Sequence, residues 1–408
     1  MEQSIAKETR WMAFFLTLAM CIQRISIAAG NICFGISILL FLYLVWKSYK
    51  SGQLIRQSLS QNTKRYIKVL VILVICLIPS VIFSYNPKES IKLVAEMWLY
   101  RVLPMLMIVC FVRNKQLLMK MLGAFLVAEI ADSMVAMYQS FALGVDRPWG
   151  FGSNTLNLPG ILVFLIPITI MLALEKSIPF ALRRLASITL VFTGIAIILG
   201  KSRGAWLLLT FLIPFVTWKY IRTHRAYMIG LILVVLCGVT LFATNQSYQQ
   251  RLYSTVNMTT DRSNADRVLV WQSAIKMIAD HPVVGVGPAQ FKDVYNNQGY
   301  VSPENTQKLA HTHNNVLEIT TESGLLGGGA LVLCFLYLII KELRLTISGS
   351  IMARMRLSVL LGVMLFGMID YTLDESTLVK TMWFIIGILL SLDDNNDGSK
   401  ERKIPTNE

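Results

Sequence analysis

Leu309–Glu342 reads LAHTHNNVLEITTESGLLGGGALVLCFLYLIIKE. From Ser323 onward it is an apolar run of the length that crosses a bilayer as a helix, roughly 17 to 25 residues, and no proline interrupts Val316–Glu342. Just before it stand His311 and His313, two of the chain's four histidines, among Thr312, Asn314 and Asn315, residue types that cap helices. A histidine here sits at a helix N-terminus, where the positive end of the dipole favours the neutral imidazole, the form that accepts a proton. A general base fits that profile, and so does a pair of hydrated loop histidines with no chemistry.

The rest of the chain is built like the second half of this stretch. Of 408 residues, 54% are hydrophobic and 15% charged, with a mean hydropathy of +0.56, outside the range of a soluble domain. The expected fold class is an all-α polytopic membrane protein with about twelve spans. They lie near 11–29, 31–46, 66–84, 92–112, 117–143, 156–174, 185–200, 204–221, 226–244, 323–342, 355–371 and 376–392. Arg24 and Asn31 interrupt the first pair, so a re-entrant hairpin fits there too. The expected organisation is a transmembrane bundle over 1–244, a loop over 245–322, further spans over 323–392 and a tail over 393–408.

Basic residues orient the bundle. Lys47, Lys50, Arg56, Lys64, Arg65, Arg113, Lys115, Lys120, Lys176, Arg183, Arg184, Lys219, Arg222, Arg225, Lys341, Arg344, Arg354 and Arg356 cluster after alternate spans. The positive-inside rule puts them, and both termini, in the cytoplasm. The net charge of +14 is thus mostly topological; it suits anionic headgroups of the inner leaflet, and no aromatic-interleaved basic patch supports nucleic-acid binding. Lys7 and Arg10 precede an apolar run without a small-residue cleavage site, which reads as an anchor. Cys21, Cys33, Cys76, Cys110, Cys237 and Cys334 all fall inside expected spans, so neither a disulfide framework nor a thiolate metal site is indicated.

Three outer segments carry the remaining chemistry. In 144–160, GVDRPWGFGSNTLNLPG, the cation Arg147 and the aromatics Trp149 and Phe151 are placed to grip a lipid headgroup or sugar, or to anchor at the interface. In the turn at 199–207, Lys201 and Arg203 sit on the side where basic residues are disfavoured, which points to anion binding. The loop 245–322 is too long to be structureless. Asp266 suits the cap of a helix from Arg267, with Val268, Trp271, Ile275 and Ile278 on one face, as in an amphipathic helix lying on the membrane. Gly285 and Gly287 lack the flanking strand and Lys-Ser/Thr of a phosphate loop. Asp370, Asp374 and Glu375 fill the last outer turn, where they steer an acceptor, orient a histidine, or are simply solvated. The tail's Asp393, Asn395 and Asp397 imitate a calcium loop whose twelfth position is Ile404, so that reading is dropped.

The order KSRGAWL at 201–207, DRVLVWQ at 266–272, HPVVGVGP at 281–288 and HTHNNVLE at 311–318 resembles the O-antigen ligase and polymerase family of bacterial inner-membrane glycosyltransferases. The resemblance runs from about Arg147 to Asp370. It implies transfer of a sugar polymer from undecaprenyl pyrophosphate to a hydroxyl of an acceptor glycan on the periplasmic face, inverting, without metal or other cofactor; the first expectation is a ligase whose acceptor is lipid A-core oligosaccharide. It carries the family's essential histidine and two arginines onto His313, Arg203 and Arg267. Lys201, His311, Arg147, Trp271, Asn314 and Asp370 are the accompanying candidates for substrate binding. Guanidinium forks would neutralise the leaving pyrophosphate while His313 draws off the acceptor's proton; a dianionic donor close by would pull the imidazole toward its protonated form. The alternatives are a polymerase of the same superfamily and, from another class, a twelve-span transporter, for which repeat-related halves and mid-membrane polar groups would be needed.

Overall fold

The computed structural model describes residues 6–52, 59–152, 154–223, 243–256, 262–302 and 310–401, with Leu236 and Thr240 besides. Every regular element among them is helical, the arrangement that satisfies backbone polar groups within each segment where lipid offers no partner. Among the described residues eight helices are long and apolar enough to cross a membrane; the protein is an all-α polytopic membrane protein. The expected span at 226–244 lies almost wholly outside the described residues.

The chain opens with an antiparallel hairpin of α1 (Lys7–Ile22) and α2 (Ile27–Lys50), tied at its open end by Lys47 Nζ on Glu8 Oε1 at 2.9 Å. The hairpin turns at 23–26, earlier than the expected break near residue 30. Ser26 Oγ accepts the Ala29 N–H at 3.2 Å and so caps α2. Arg24 then turns inward, bonding Asp132 at 2.5 Å and also Glu129, two buried carboxylates.

Next come α3 (Gln61–Ile82), then α4 (Pro87–Ala95), a π turn at Glu96–Tyr100 and α5 (Leu103–Phe111), which together form one span. α6 (Lys115–Phe141), α7 (Asn157–Leu174), α8 (Phe180–Leu199) and α9 (Arg203–Thr223) follow. The segment between α9 and the last helices contains α10 (Gln246–Val256), α11 (Arg262–Asp280) and α12 (Phe291–Asn297). Last are α13 (Asn315–Ile347), α14 (Ile351–Phe366), a 3-10 turn at Thr372–Asp374 and α15 (Ser376–Glu401). α7 is apolar all round and buried from Leu158 to Ile168, with α8, α9 and α14 packed against it; a helix of that pattern belongs at the centre of a bundle.

Four sequence expectations are corrected by packing. α14 ends at Phe366, not near 371. Gly367 stops it because its carbonyl accepts the Asn315 N–H at 2.6 Å, and a Cβ there would lie 1.8 Å from Asn315 Nδ2. α11 begins at Arg262, so Asp266 is inside the helix and is not its cap. The buried stripe of α11 is Val270, Ala274 and Met277, while Ile275 is exposed; with Phe291, Val294 and Tyr295 these build a small outer core of their own, so the helix packs on protein along that face. Arg356, counted among the cytoplasmic charges, is fully buried, with Nη2 3.0 Å from Glu342 Oε2 and 2.9 Å from Asp393 Oδ2. Taking such a charge from water is costly, and two carboxylates offset it.

α13 is two helices in series. Gly324 breaks it at φ 63°, and the loop 282–287 lies across the break. Leu325 N–H donates to Pro282 O at 2.8 Å, while Val286 and Gly287 N–H donate to Thr321 O and Glu322 O at 3.1 and 2.8 Å. The loop thus satisfies backbone groups that the break would orphan. A Cβ on Gly324 would lie 2.1 Å from Val283 O, and one on Gly285 would lie 2.4 Å from the Glu322 carbonyl carbon. Both glycines are therefore required by this close approach and by their positive φ.

Candidate active site

His313 is held from both sides. Before it, Thr312 N–H donates to Glu318 Oε2 at 2.6 Å, and Thr312 O accepts from Trp271 Nε1 of α11 at 2.8 Å. After it, Asn314 caps α13 by accepting the Val316 and Leu317 N–H at 2.9 and 3.0 Å, and its Nδ2 donates to Met368 O at 3.1 Å. Asn315 donates to Thr372 Oγ1 at 2.9 Å and accepts from Leu373 N–H at 3.1 Å. The two asparagines therefore knit the start of α13 to the turn after α14, which brings Asp370 to His313. Between these restraints His313 adopts φ 54°, a left-handed conformation that is uncommon for a residue other than glycine and clusters at functional sites.

The contact thus made is a dyad. His313 Nδ1 lies 2.9 Å from Asp370 Oδ1, and Asp370 is buried. Burial acts to raise the Asp370 carboxyl, but the His313 hydrogen bond and its charge outweigh that and hold it below the usual carboxylate range. An ionised Oδ1 must accept, so in the neutral form of the ring Nδ1 carries the proton and Nε2 the lone pair. His311 is a neighbour in this arrangement: its ring stands edge-on to His313 with centroids 4.2 Å apart, and its Nδ1 accepts the His313 N–H at 3.3 Å. Burial, then the adjacent His313, pushes His311 below the ordinary histidine value, so it is neutral near pH 7.

The second half of the site is cationic. Lys201, at φ 46°, leads into α9 and its first residue, Arg203. Lys201 Nζ donates to Asp146 Oδ1 at 2.5 Å and Ser247 Oγ at 2.6 Å, and it lies 5.2 Å from the centroid of the Tyr248 ring. Arg203 Nη2 reaches Asn264 Oδ1 at 3.5 Å. Arg147 arrives on the loop after α6, which α6 itself fastens: Gln139 Oε1 accepts the Trp149 and Gly150 N–H, each at 3.0 Å, and Asp132 Oδ1 accepts the Phe151 N–H at 2.7 Å. Burial, then the neighbouring charges of Arg251 and Arg203, pulls the Arg147 guanidinium below the ordinary arginine value.

These parts open on one cavity of about 590 Å³, lined by Arg147, Lys201, Arg203, Arg251, Arg267, Trp271, His313 and Asp370, with Leu207, Phe366 and Ile369 as an apolar wall. Of the residues singled out in the sequence, Asn314 and His311 are not on the lining: the Asn314 amide is spent on capping α13 and on Met368 O. Trp271 lines the cavity, though its Nε1 is engaged with Thr312 O. Trp149 and Phe151 give α6 their backbone N–H and are not cavity residues. Arg251 was missed because nothing in the linear pattern of α10 marks it; only the fold turns it inward. One group of candidate metal ligands stands out among the described residues: His311, His313 and Asp370, whose ligand atoms lie within 4.8 Å of one another. His313 Nδ1 and Asp370 Oδ1 are already bonded to each other, so an ion there would have to displace that contact.

Residues 188–332 match the family model described as O-antigen ligase. Over these residues the chain is similar to the O-antigen ligase family. The matched segment holds Lys201, Arg203, Arg251, Arg267 and His313, while Arg147 and Asp370 lie outside it. A candidate polysaccharide ligase of Rickettsia prowazekii is 31% identical over 135 residues, 32% of each chain, and a second, of Rickettsia typhi, shows the same identity and coverage. An uncharacterised protein of Haemophilus influenzae is 24% identical over 228 residues, 51% of this chain and 56% of that one. The chain spans about a third of the length of the Rickettsia relatives it matches.

Proposed function

We propose that the protein joins a glycan carried on undecaprenyl pyrophosphate to a sugar hydroxyl of lipid A-core oligosaccharide, at the periplasmic surface of the bacterial inner membrane. The observation that carries this reading is that five basic side chains and the His313–Asp370 dyad line the same cavity, beside an apolar wall. The diphosphate lies among Arg147, Arg203, Arg251 and Arg267. The acceptor hydroxyl attacks the anomeric carbon from the face opposite the diphosphate. Its C–O bond forms as the C–O bond to phosphate breaks, the hydroxyl proton passes to His313 Nε2, and the electron pair leaves on the diphosphate. Asp370 keeps the ring in the accepting tautomer and steadies the imidazolium that results.

The charge arithmetic supports chemistry by side chains. A guanidinium about 4 Å from a phosphate charge contributes roughly 4 kcal/mol at an effective dielectric near 20. Two such contacts are comparable to the several kcal/mol a Lewis-acid metal supplies. The sidedness follows from the charge rule: Lys47, Lys50, Lys219, Arg222, Lys341 and Arg344 belong to the ends of α2, α9 and α13, and Arg203 begins α9 at the opposite end.

Disrupting the gene tests the reading against its nearest rival. A strain that still makes polymer on the carrier but shows none on lipid A supports the ligase. Lipid A capped with single repeats identifies a polymerase, and reconstituted vesicles that move labelled donor across the bilayer without transfer identify a transporter.

A further inference from the structure

At the other end of α9 from Arg203 is a second cavity, of about 520 Å³, between α9, the end of α13 and the start of α14. Phe215 and Trp218 of α9 and Ile347 of α13 supply apolar walls and are exposed at its mouth; Lys219, Thr346 and Arg354 supply the polar part. Two donors here, Thr346 Oγ1 and Arg354 Nη1, are buried and have no hydrogen-bond partner. A buried donor left unpaired is costly, the more so when it belongs to a charged group. Among lipid components, a phosphate oxygen answers both donors together with the positive charge. Along α9, Arg203 and Lys219 are about 24 Å apart at roughly 1.5 Å per residue, so this cavity is separate from the outer site.

We infer that the groove between α9 and the α13–α14 turn binds an anionic phospholipid of the inner leaflet, its phosphate between Thr346 and Arg354 and an acyl chain along Phe215 and Ile347. Charge complementarity and the end of the bundle on which the groove lies select this occupant. Basic residues at a membrane surface attract anionic headgroups, and here the apolar walls add a place for the chain.

The test is lipid retention by the full-length protein, purified from bilayers of equal phosphatidylglycerol and phosphatidylcholine and quantified by native mass spectrometry. Wild type retains phosphatidylglycerol in preference. Thr346→Val with Arg354→Gln cuts that retention by at least half, and Ile347→Glu, which sets a negative charge at the exposed mouth and disturbs no core, cuts it likewise. Lys120→Gln, on the distant α6, leaves it unchanged. Equal retention of the two lipids by wild type, loss in Lys120→Gln matching that in the groove variants, unchanged retention in Ile347→Glu, or displacement of the lipid by millimolar inorganic phosphate would each overturn the assignment.

Discussion

His313 gains its chemistry from a neighbour 57 positions away in sequence. If Asp370 sets the tautomer, Asp370→Asn presents an amide that no longer demands an Nδ1 proton. Transfer should then fall by roughly a hundred- to ten-thousand-fold with donor binding retained, checked by separate turnover and binding assays. The same residue gives a stability signature. Its folded value is depressed, so its contribution is fully present above the ordinary carboxylate value of 3.8 and is lost as pH falls through the lower folded value. The gap in melting temperature between wild type and Asp370→Asn should therefore close as pH is taken from 7 to below 4. Arg203→Lys keeps the charge and removes the fork that grips two phosphate oxygens, so transfer should drop at least tenfold in a donor-titration assay; equal activity would reduce Arg203 to a surface charge. Arg203 and His313 stand out in the sequence because a cation on the expected outer side and a histidine before a span are out of place there, whereas Arg267 comes in through the family resemblance. Asp370 as an orienting partner was one of several readings, and Arg251 was invisible, since what distinguishes either is a tertiary contact.

Individual helices were legible where burial is uniform and were misplaced where a specific contact sets an end. The apolar run of α7 needs only its composition, whereas the end of α14 at Gly367 is decided by Asn315, and the break in α13 by the loop 282–287. Read as a chain, 281–288 offered a glycine-rich turn without a task; in the fold its glycines let that loop take over the hydrogen bonds of a broken helix. Gly324→Ala should consequently lower the melting temperature by several degrees in a detergent-solubilised sample, because its Cβ meets Val283 O and its φ is strained for any L residue. α11 has a different duty, supplying Arg267 to the cavity and, one turn later, Trp271 to the Thr312 carbonyl. Trp271→Phe removes that one hydrogen bond, worth about 0.5 to 1.5 kcal/mol net. Turnover should fall between about twofold and tenfold while the affinity for donor changes little, a split that steady-state kinetics resolves.

At the scale of the whole molecule, composition alone established the membrane class, and alternating basic turns supplied an orientation. Neither could reveal the buried charges that hold the bundle: Arg24 with Glu129 and Asp132 near the outer loops, and Arg356 with Glu342 and Asp393 at the far end. A sequence read by hydropathy treats such residues as interruptions or as solvated loop charges, because their partners come from distant helices. The first of these clusters also fastens the loop that delivers Arg147, so membrane-embedded charge and outer-site geometry are one construction. The account rests on that outer cavity being a single reaction centre. The direct measurement is single-turnover transfer by the reconstituted protein, with a defined prenyl-diphosphate-linked glycan and core acceptor in the presence of chelator, comparing wild type with His313→Ala. A single reaction centre requires full transfer by wild type, and donor binding without transfer by His313→Ala. Transfer by His313→Ala at close to the wild-type rate, or wild-type activity that vanishes with chelator and returns with a divalent ion, would contradict it.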